Sequence, residues 1–367
     1  MLTPQENERL TRVGPGTPMG EVFRRYWLPA LLSEELPAME TPPVKVRLLG
    51  LNLIAFRNFF GKVRVGNYPT WEGGGMVWAY LGPPSDAPPP PDLELVRAPA
   101  THRFVTKIFQ DCNYLQALEG GLDSAHATIM HNQKIGDRTF LSHYEELIPH
   151  LEVEKTDYGY TYSGVRRLGE KQWIRKYHYV MPVTQMRGRI SGPGMSDTIP
   201  TISGHMWVPA DDVTTCVFNW SYSYDPAVPI PEEYRAKFER HVGRGPDDLI
   251  PGTYRLRRNL ENDFLIDRQK QKVETMTGID GINTQDVALQ EGMGPVVDRT
   301  KEHLGTTDRA IIVMRQLLLE ATHDVEAGRK PRGWDSATYR DVRALDHIIP
   351  GDLTWKDALE VEALAKF

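Results

Sequence analysis

The run Pro83-Pro84-Ser85-Asp86-Ala87-Pro88-Pro89-Pro90-Pro91-Asp92 constrains the fold of this chain more than any other stretch. Proline lacks an N–H and fixes φ, so neither a helix nor a central strand can pass through such a run, and an extended connector is the favoured conformation. The chain is therefore expected to fold in two parts, 1–100 and 101–367. Before the prolines the pattern is β. Val44, Val46 and Leu48 alternate with polar residues, Leu51 to Phe56 continues as a strand, and Met76 to Tyr80 is another between Gly73-Gly74-Gly75 and Gly82-Pro83. After them, Tyr158 to Arg166, Trp173 to Met181, Ile202 to Val208 and Cys216 to Tyr224 predict an antiparallel sheet. A helix over Arg309 to His323 carries an apolar stripe at Ile311, Met314, Leu318 and Ala321, with Thr307 as its expected N-cap. The fold class is thus α+β.

Composition excludes several functions. The 367 residues carry a net charge of -6, with no basic footprint for nucleic acid or an anionic membrane. No run approaches membrane-spanning length. The start, Met1 to Leu10, is polar and acidic where a secretory leader is basic and then apolar, so a cytoplasmic protein is expected. Cys112 and Cys216 are the only cysteines, too few for a disulfide framework and too far apart for a CxxC metal knuckle; both are expected to be buried thiols.

The segment Glu119-Gly-Gly-Leu-Asp123-Ser-Ala-His126-Ala-Thr-Ile-Met-His131, with Asp286 far downstream, carries the chemistry. Two imidazoles and one carboxylate on one face of an ion, with other positions open, are the ligands of a mononuclear Fe(II) centre that activates O2. On a continuous helix Glu119, Asp123 and His126 share a face, but His131 points about 140° away from His126. If both histidines bind one ion, the helix must break or carry a π-bulge between them. The plainer reading makes Asp123 a helix N-cap and the histidines ordinary polar positions.

Wider stretches decide between the two. Leu2 to Gly20, Arg24-Arg-Tyr-Trp27, Tyr68-Pro-Thr-Trp-Glu-Gly73 and Met76 to Pro83 resemble the N-terminal domain of Rieske non-haem iron oxygenases, most nearly the oxygenase (alpha) components of the phthalate 4,5-dioxygenase type. The likeness continues through Asn113-Tyr-Leu-Gln116, Glu119 to His126, Gly204-His-Met-Trp-Val-Pro209, Glu261 to Arg268, Gly281 to Asp286, Gly294 to Arg299 and His303 to Arg309. It implies a small all-β Rieske-type domain over 1–100 and a helix-grip catalytic domain over 101–367. By resemblance, His126, His131 and Asp286 are the iron ligands. Asp123 matches the aspartate that links the iron site to a cluster-ligand histidine of a neighbouring subunit, and Glu119 is a candidate to support it.

One departure is large. The family holds a [2Fe-2S] cluster on two motifs, C-x-H and C-x2-H, and neither occurs here. Asn58 resembles the end of the strand before the first cluster loop, Phe59-Phe60-Gly61 the piece between the loops, and Lys62 the point where the chain resumes. The joins at 58/59 and 61/62 are therefore expected to mark loops that the sequence leaves out, because a deletion would scarcely retain the isolated Phe-Phe-Gly. Asn132 to Ser142 is a further candidate for shortening.

The resemblance implies an O2-dependent oxygenase that dihydroxylates, hydroxylates or O-demethylates an aromatic, carboxylated substrate. Its electrons would come from NAD(P)H through a flavin and iron-sulfur reductase, with or without a ferredoxin. A head-to-tail homotrimer or stacked hexamer would place Asp123 beside a neighbour's cluster. Arg166 and Arg167 are candidates for the substrate carboxylate, with Arg187 and Arg189 behind them. Trp173, Trp207 and Trp220 either line an aryl pocket or fill core. Two rivals stand beside this reading: a helix-grip protein that binds an aromatic molecule without oxidising it, and a cluster-free iron enzyme acting as a hydrolase.

Overall fold

The alternating stretches before the prolines become short antiparallel strands in the computed structural model, which describes residues 1–131, 148–188, 199–354, 356 and 364–367. The candidate shortening at 132–142 and Arg189 lie outside the described residues. The N-terminal strands are β1 (Trp27–Leu32), β2 (Val44–Leu48), β3 (Leu51–Arg57), β4 (Val63–Val65), β5 (Thr70–Gly73) and β6 (Met76–Tyr80). They form two three-stranded sheets, ordered β1-β6-β5 and β2-β3-β4. Between β3 and β4 the chain turns tightly: Asn58 N donates to Lys62 O at 2.9 Å, the Asn58 side chain accepts from Phe60 N and Lys62 N, and Gly61 takes φ +72°. Phe59 and Phe60 stand out from this turn, 89% and 88% exposed.

After the prolines run β7 (Arg103–Gln110), β8 (His150–Thr156), β9 (Gly159–Leu168), β10 (Lys171–Val180), β11 (Thr184–Gly188), β12 (Thr201–Pro209), β13 (Thr215–Ser223) and β14 (Leu345–Pro350). They build one antiparallel sheet ordered β7-β13-β12-β11-β10-β9-β8, with β14 and β11 following one another along the same edge of β10. The helices are α1 (Pro4–Thr11), α2 (Pro18–Phe23), α3 (Glu94–Arg97), α4 (Tyr114–Leu122), α5 (Ala127–Met130), α6 (Glu232–Val242), α7 (Arg268–Val273), α8 (Ile282–Gly292) and α9 (Arg309–Glu326).

Helix α4 packs on β12, and α9 packs on β8, β9 and α2. All four stripe residues expected for α9 are buried. Its start differs from expectation: Thr306–Asp308 forms a 3-10 turn, the helix begins at Arg309, and the Asp308 carboxylate is spent on Gly305 N at 2.7 Å, so Thr307 caps nothing. The proline run is not a free connector either. Trp27 Nε1 donates to Pro88 O at 2.9 Å, Pro88 and Pro91 are buried, and one hydrophobic core continues from Leu10 to Ala344 across both parts of the chain.

Candidate metal centre and its cavity

Helix α4 is capped by Asn113, whose side chain accepts from Leu115 N, and it buries Tyr114, Leu115, Ala117, Leu118 and Leu122. It lies so close to the sheet that a Cβ at Gly121 would stand 2.1 Å from the Trp207 ring. Only glycine fits there. The helix stops at Leu122 and Asp123 is already extended, so the break falls before His126 and not between the two histidines. The Asp123 carboxylate holds the turn, accepting from Ala125 N at 2.8 Å and His126 N at 3.3 Å. His126 and His131 then flank the single turn α5, with ring centroids 5.1 Å apart and ring planes at 82°. The shared helical face expected for Glu119, Asp123 and His126 is therefore absent.

Asp286 comes from the first turns of α8, which enters through Gly281 at φ +88° packed against Gly243. Its Oδ1 lies 3.3 Å from His131 Nε2 and 3.5 Å from His126 Nε2, and donor atoms of all three residues lie within 4.8 Å of one another. Adjacent donors on an ion with bonds of about 2.1 Å stand about 3 Å apart, so modest closure seats a cation among them. The other ring nitrogens are occupied. His126 Nδ1 faces Asp123 Oδ2 at 3.1 Å, and His131 Nδ1 faces Gln285 Oε1 at 2.8 Å. Gln285 Nε2 donates to Ile279 O at 2.9 Å, which leaves its oxygen to accept from His131. With both Nδ1 protons donated outward, both Nε2 atoms converge beside Asp286, where a cation would take the place of a proton, the arrangement by which outer partners orient imidazole ligands.

The electrostatics agree with a cation site. Burial disfavours charge on Asp286, but the charges and hydrogen bonds of His131 and His126 outweigh it and hold its carboxyl far below the usual carboxylate range. Burial likewise opposes charge on His126, yet Asp123 and Asp286 together hold its pKa up to about 10. A site that retains a proton so strongly between carboxylates favours a metal cation in its place.

The site opens on a cavity of about 230 Å³. Its floor is one face of the large sheet, where alternation brings up Arg175 and Tyr177 of β10, Gln185 and Arg187 of β11, Ser203, His205 and Trp207 of β12, and Asn219 of β13. Among the described residues Arg187 makes no hydrogen bond or ion pair, and burial lowers its pKa to about 10. Arg175 is held by Gly188 O at 3.0 Å and Asp346 at 3.3 Å.

Two expectations need correction, and one left open is decided. Glu119 does not reach Asp123 through its side chain: its carboxylate is committed to Arg299 Nη2 at 2.8 Å and Arg315 Nε at 2.7 Å, both buried. Arg166 and Arg167 do not line the cavity. Arg166 is buried over Trp173 and donates to Ser124 O at 2.9 Å, bracing the turn before His126, while Arg167, on the opposite face of β9, is exposed. Of the tryptophans, Trp207 lines the cavity and Trp173 and Trp220 are core. Arg175, His205, Asn219 and Gln285 carried no assigned role in the sequence. Polar residues two apart within otherwise apolar strands, as in Gln185/Arg187 and Ser203/His205, were the available signal.

For a [2Fe-2S] cluster the residues do not fit. Cys112 and Cys216 lie before α4 and on β13, both buried, and burial pushes the Cys216 thiol up to about 12, the reverse of a metal-ready thiolate.

A sheet face walled by helices, with two imidazoles and a carboxylate at its open cavity, has the donor set of a mononuclear non-haem iron oxygenase. The family model LigXa C-terminal domain like matches residues 79–365. The phthalate 4,5-dioxygenase oxygenase subunit of Pseudomonas putida is 30% identical, over 97% of this chain and 94% of the relative. The 3-chlorobenzoate-3,4-dioxygenase oxygenase subunit of Comamonas testosteroni is 29% identical over the whole of both chains. Among solved structures, Pseudomonas putida CBB5 NdmB superposes with a TM-score of 0.57 at 14% identity, covering 89% of this chain and 97% of that one, a likeness of fold. The chain belongs to the LigXa C-terminal domain-like family, among the oxygenase (alpha) components of Rieske non-haem iron oxygenases. It is an O2-dependent oxidoreductase. The second alignment runs over 440 positions against 367 residues, so that relative carries at least 73 positions with no counterpart here.

Proposed function

We propose that this terminal oxygenase component holds Fe(II) through Nε2 of His126, Nε2 of His131 and the Asp286 carboxylate, and acts on an aromatic carboxylate anchored by Arg187. The observation that carries the reading is the convergence of those three donors, with both Nδ1 atoms occupied, at the wall of the cavity. Ferrous iron held there supplies O2 activation at the positions the protein leaves open.

The chain's own residues supply position and charge. Asp123 and Gln285 hold the imidazole protons at Nδ1. Arg187, which makes no hydrogen bond or ion pair among the described residues, offers its guanidinium inside the cavity, and a carboxylate there gains a charge-assisted, two-pronged contact. Arg175, paired with Asp346, lies on the same cavity wall. Tyr177 and Trp207 provide flat apolar walls for a ring. Asp123 keeps about a quarter of its side chain exposed and is assigned the contact to a neighbouring subunit in a homotrimer or stacked hexamer. Electrons are drawn from NAD(P)H through a reductase, with or without a ferredoxin; with no cluster ligands in the sequence, no path for them is traced through these residues.

The test is iron content together with substrate-dependent O2 and NADH consumption in the presence of a reductase, using benzoate and phthalate as first substrates. Turnover that continues without O2, or protein that takes up no iron, overturns the proposal. An intact mass well above 41.7 kDa would place the cluster loops in the polypeptide, whereas a mass equal to it would favour the cluster-free reading.

A further inference from the structure

The cavity holds a second feature that the iron site does not use. His205 Nδ1 lies 2.7 Å from Asn219 Oδ1. The same oxygen accepts from Arg244 Nη1 at 3.2 Å, while Asn219 Nδ2 donates to Val217 O. A guanidinium can only donate, so the Asn219 atom facing it must be the oxygen, and His205 must present a proton at Nδ1. Arg244 is itself fixed by both Glu239 oxygens, at 3.0 and 2.7 Å, and by Asn283 Oδ1 at 2.6 Å. The chain from Glu239 through Arg244 and Asn219 therefore sets the tautomer of His205.

The ring carries only that one proton. Burial holds its pKa well below the usual histidine range, and the neighbouring charges of Arg187 and Arg244 press the same way. Nε2 is left as a bare lone pair. The one hydrogen bond of the ring among the described residues is that at Nδ1, and the ring lines the cavity. An acceptor without a donor at a cavity wall favours a ligand that brings one.

Register places this acceptor beside the anchoring cation. Arg187 pairs with Ser203 across β11 and β12, and His205 lies two residues further along β12 on the same face. The two are diagonal neighbours, with roots about 7–8 Å apart. One substituted ring can bridge them.

We propose that His205 is a specificity-determining residue that selects, among aromatic carboxylates held on Arg187, those carrying a hydrogen-bond donor on the ring, a hydroxyl or an amino group. The inference rests on the reading of Arg187 as the carboxylate anchor. A pocket built to accept from a substrate O–H or N–H rejects an analogue lacking it far more strongly than an apolar pocket rejects a change of size.

The test is anaerobic titration calorimetry of the iron-loaded protein with benzoate and with the 3- and 4-isomers of hydroxybenzoate and fluorobenzoate. Fluorine is close to hydroxyl in size but donates nothing. At one ring position the hydroxyl ligand should bind about tenfold or more tighter than its fluoro counterpart. His205→Phe should erase that preference while leaving benzoate affinity within a few-fold, and His205→Gln, which restores an acceptor, should recover part of it. Absence of preference at both positions, or its persistence in His205→Phe, overturns the inference. Failure of the underlying reading looks different: no benzoate binds at all, or Arg187→Gln leaves benzoate affinity unchanged. Thermal melts of both His205 variants separate misfolding from lost recognition, and a folded His205→Gln with no preference counts against the inference.

Discussion

At the scale of single residues, the two histidines are made alike by different partners. Asp123 and Gln285 each accept an Nδ1 proton, one as a carboxylate and one as an amide locked by Ile279 O. We expect Gln285→Leu to weaken iron binding by about 10- to 100-fold, read as metal lost to a chelator, because His131 would no longer be held in orientation. Gln285→Glu, which still accepts, should retain most of the iron. Asp123→Asn should abolish turnover while iron content stays near one per chain, because an amide oxygen can still accept from the ring but the negative charge is gone. A variant that loses its iron yet receives electrons at the native rate would refute the bridging role.

At the scale of elements, the site depends on where α4 ends and on how firmly it is held. Glu119 fastens the helix to Arg299 and to Arg315 of α9, both buried. Glu119→Gln should destabilise the fold by about 3–5 kcal/mol, read from chemical denaturation, because it takes the counter-charge from buried Arg299 and leaves Arg315 with Glu302 alone. A loss below about 1 kcal/mol would show that water or other acceptors reach those groups. The resemblance made Glu119 conspicuous in the sequence, but only packing distinguishes a carboxylate turned toward α9 from one turned toward Asp123. The strands were legible for a simpler reason. Alternation in β2 and β12 records which face each residue takes, and it survives whatever the neighbouring strands prove to be. The end of α4 was not legible, because Asp123 suits a helix interior, a cap or a turn about equally until the Trp207 ring and the bonds to Ala125 and His126 are in place.

At the scale of the whole molecule, stability should carry a signature of Glu291 at the end of α8. Burial raises its pKa from the ordinary 4.5 to about 7, the nearby Asp111 charge adding to it, although Asp111 N donates to the carboxylate. Below pH 4.5 the group is protonated whether the chain is folded or not. Between about 4.5 and 7 the unfolded chain gives up the proton before the folded one does, so this contribution to stability falls as pH rises and levels off above about 7. Glu291→Gln should flatten that fall, raising the melting temperature by a few degrees at pH 8 and leaving it nearly unchanged at pH 4. Equal effects at the two pH values would rule out the assignment. The same scale decides the path of the proline run, in which the Pro88 carbonyl accepts from Trp27 Nε1 while one hydrophobic core continues on both sides of it.

The sequence by itself determined the strand periodicity, the stripe of α9 and, through family likeness, the candidate donors His126, His131 and Asp286, because spacing and residue chemistry are local properties of the chain. It could not determine which arginine lines the cavity. Arg166, Arg167, Arg175 and Arg187 all lie on strands, and only sheet curvature, helix cover and the ion pair of Arg175 to Asp346 leave Arg187 on the cavity wall without an ion pair among the described residues. Nor could it fix the tautomer of His205, which depends on Glu239, Arg244 and Asn219 meeting from three separate segments. Such groups acquire their roles from neighbours distant in sequence, and tertiary packing alone chooses those neighbours.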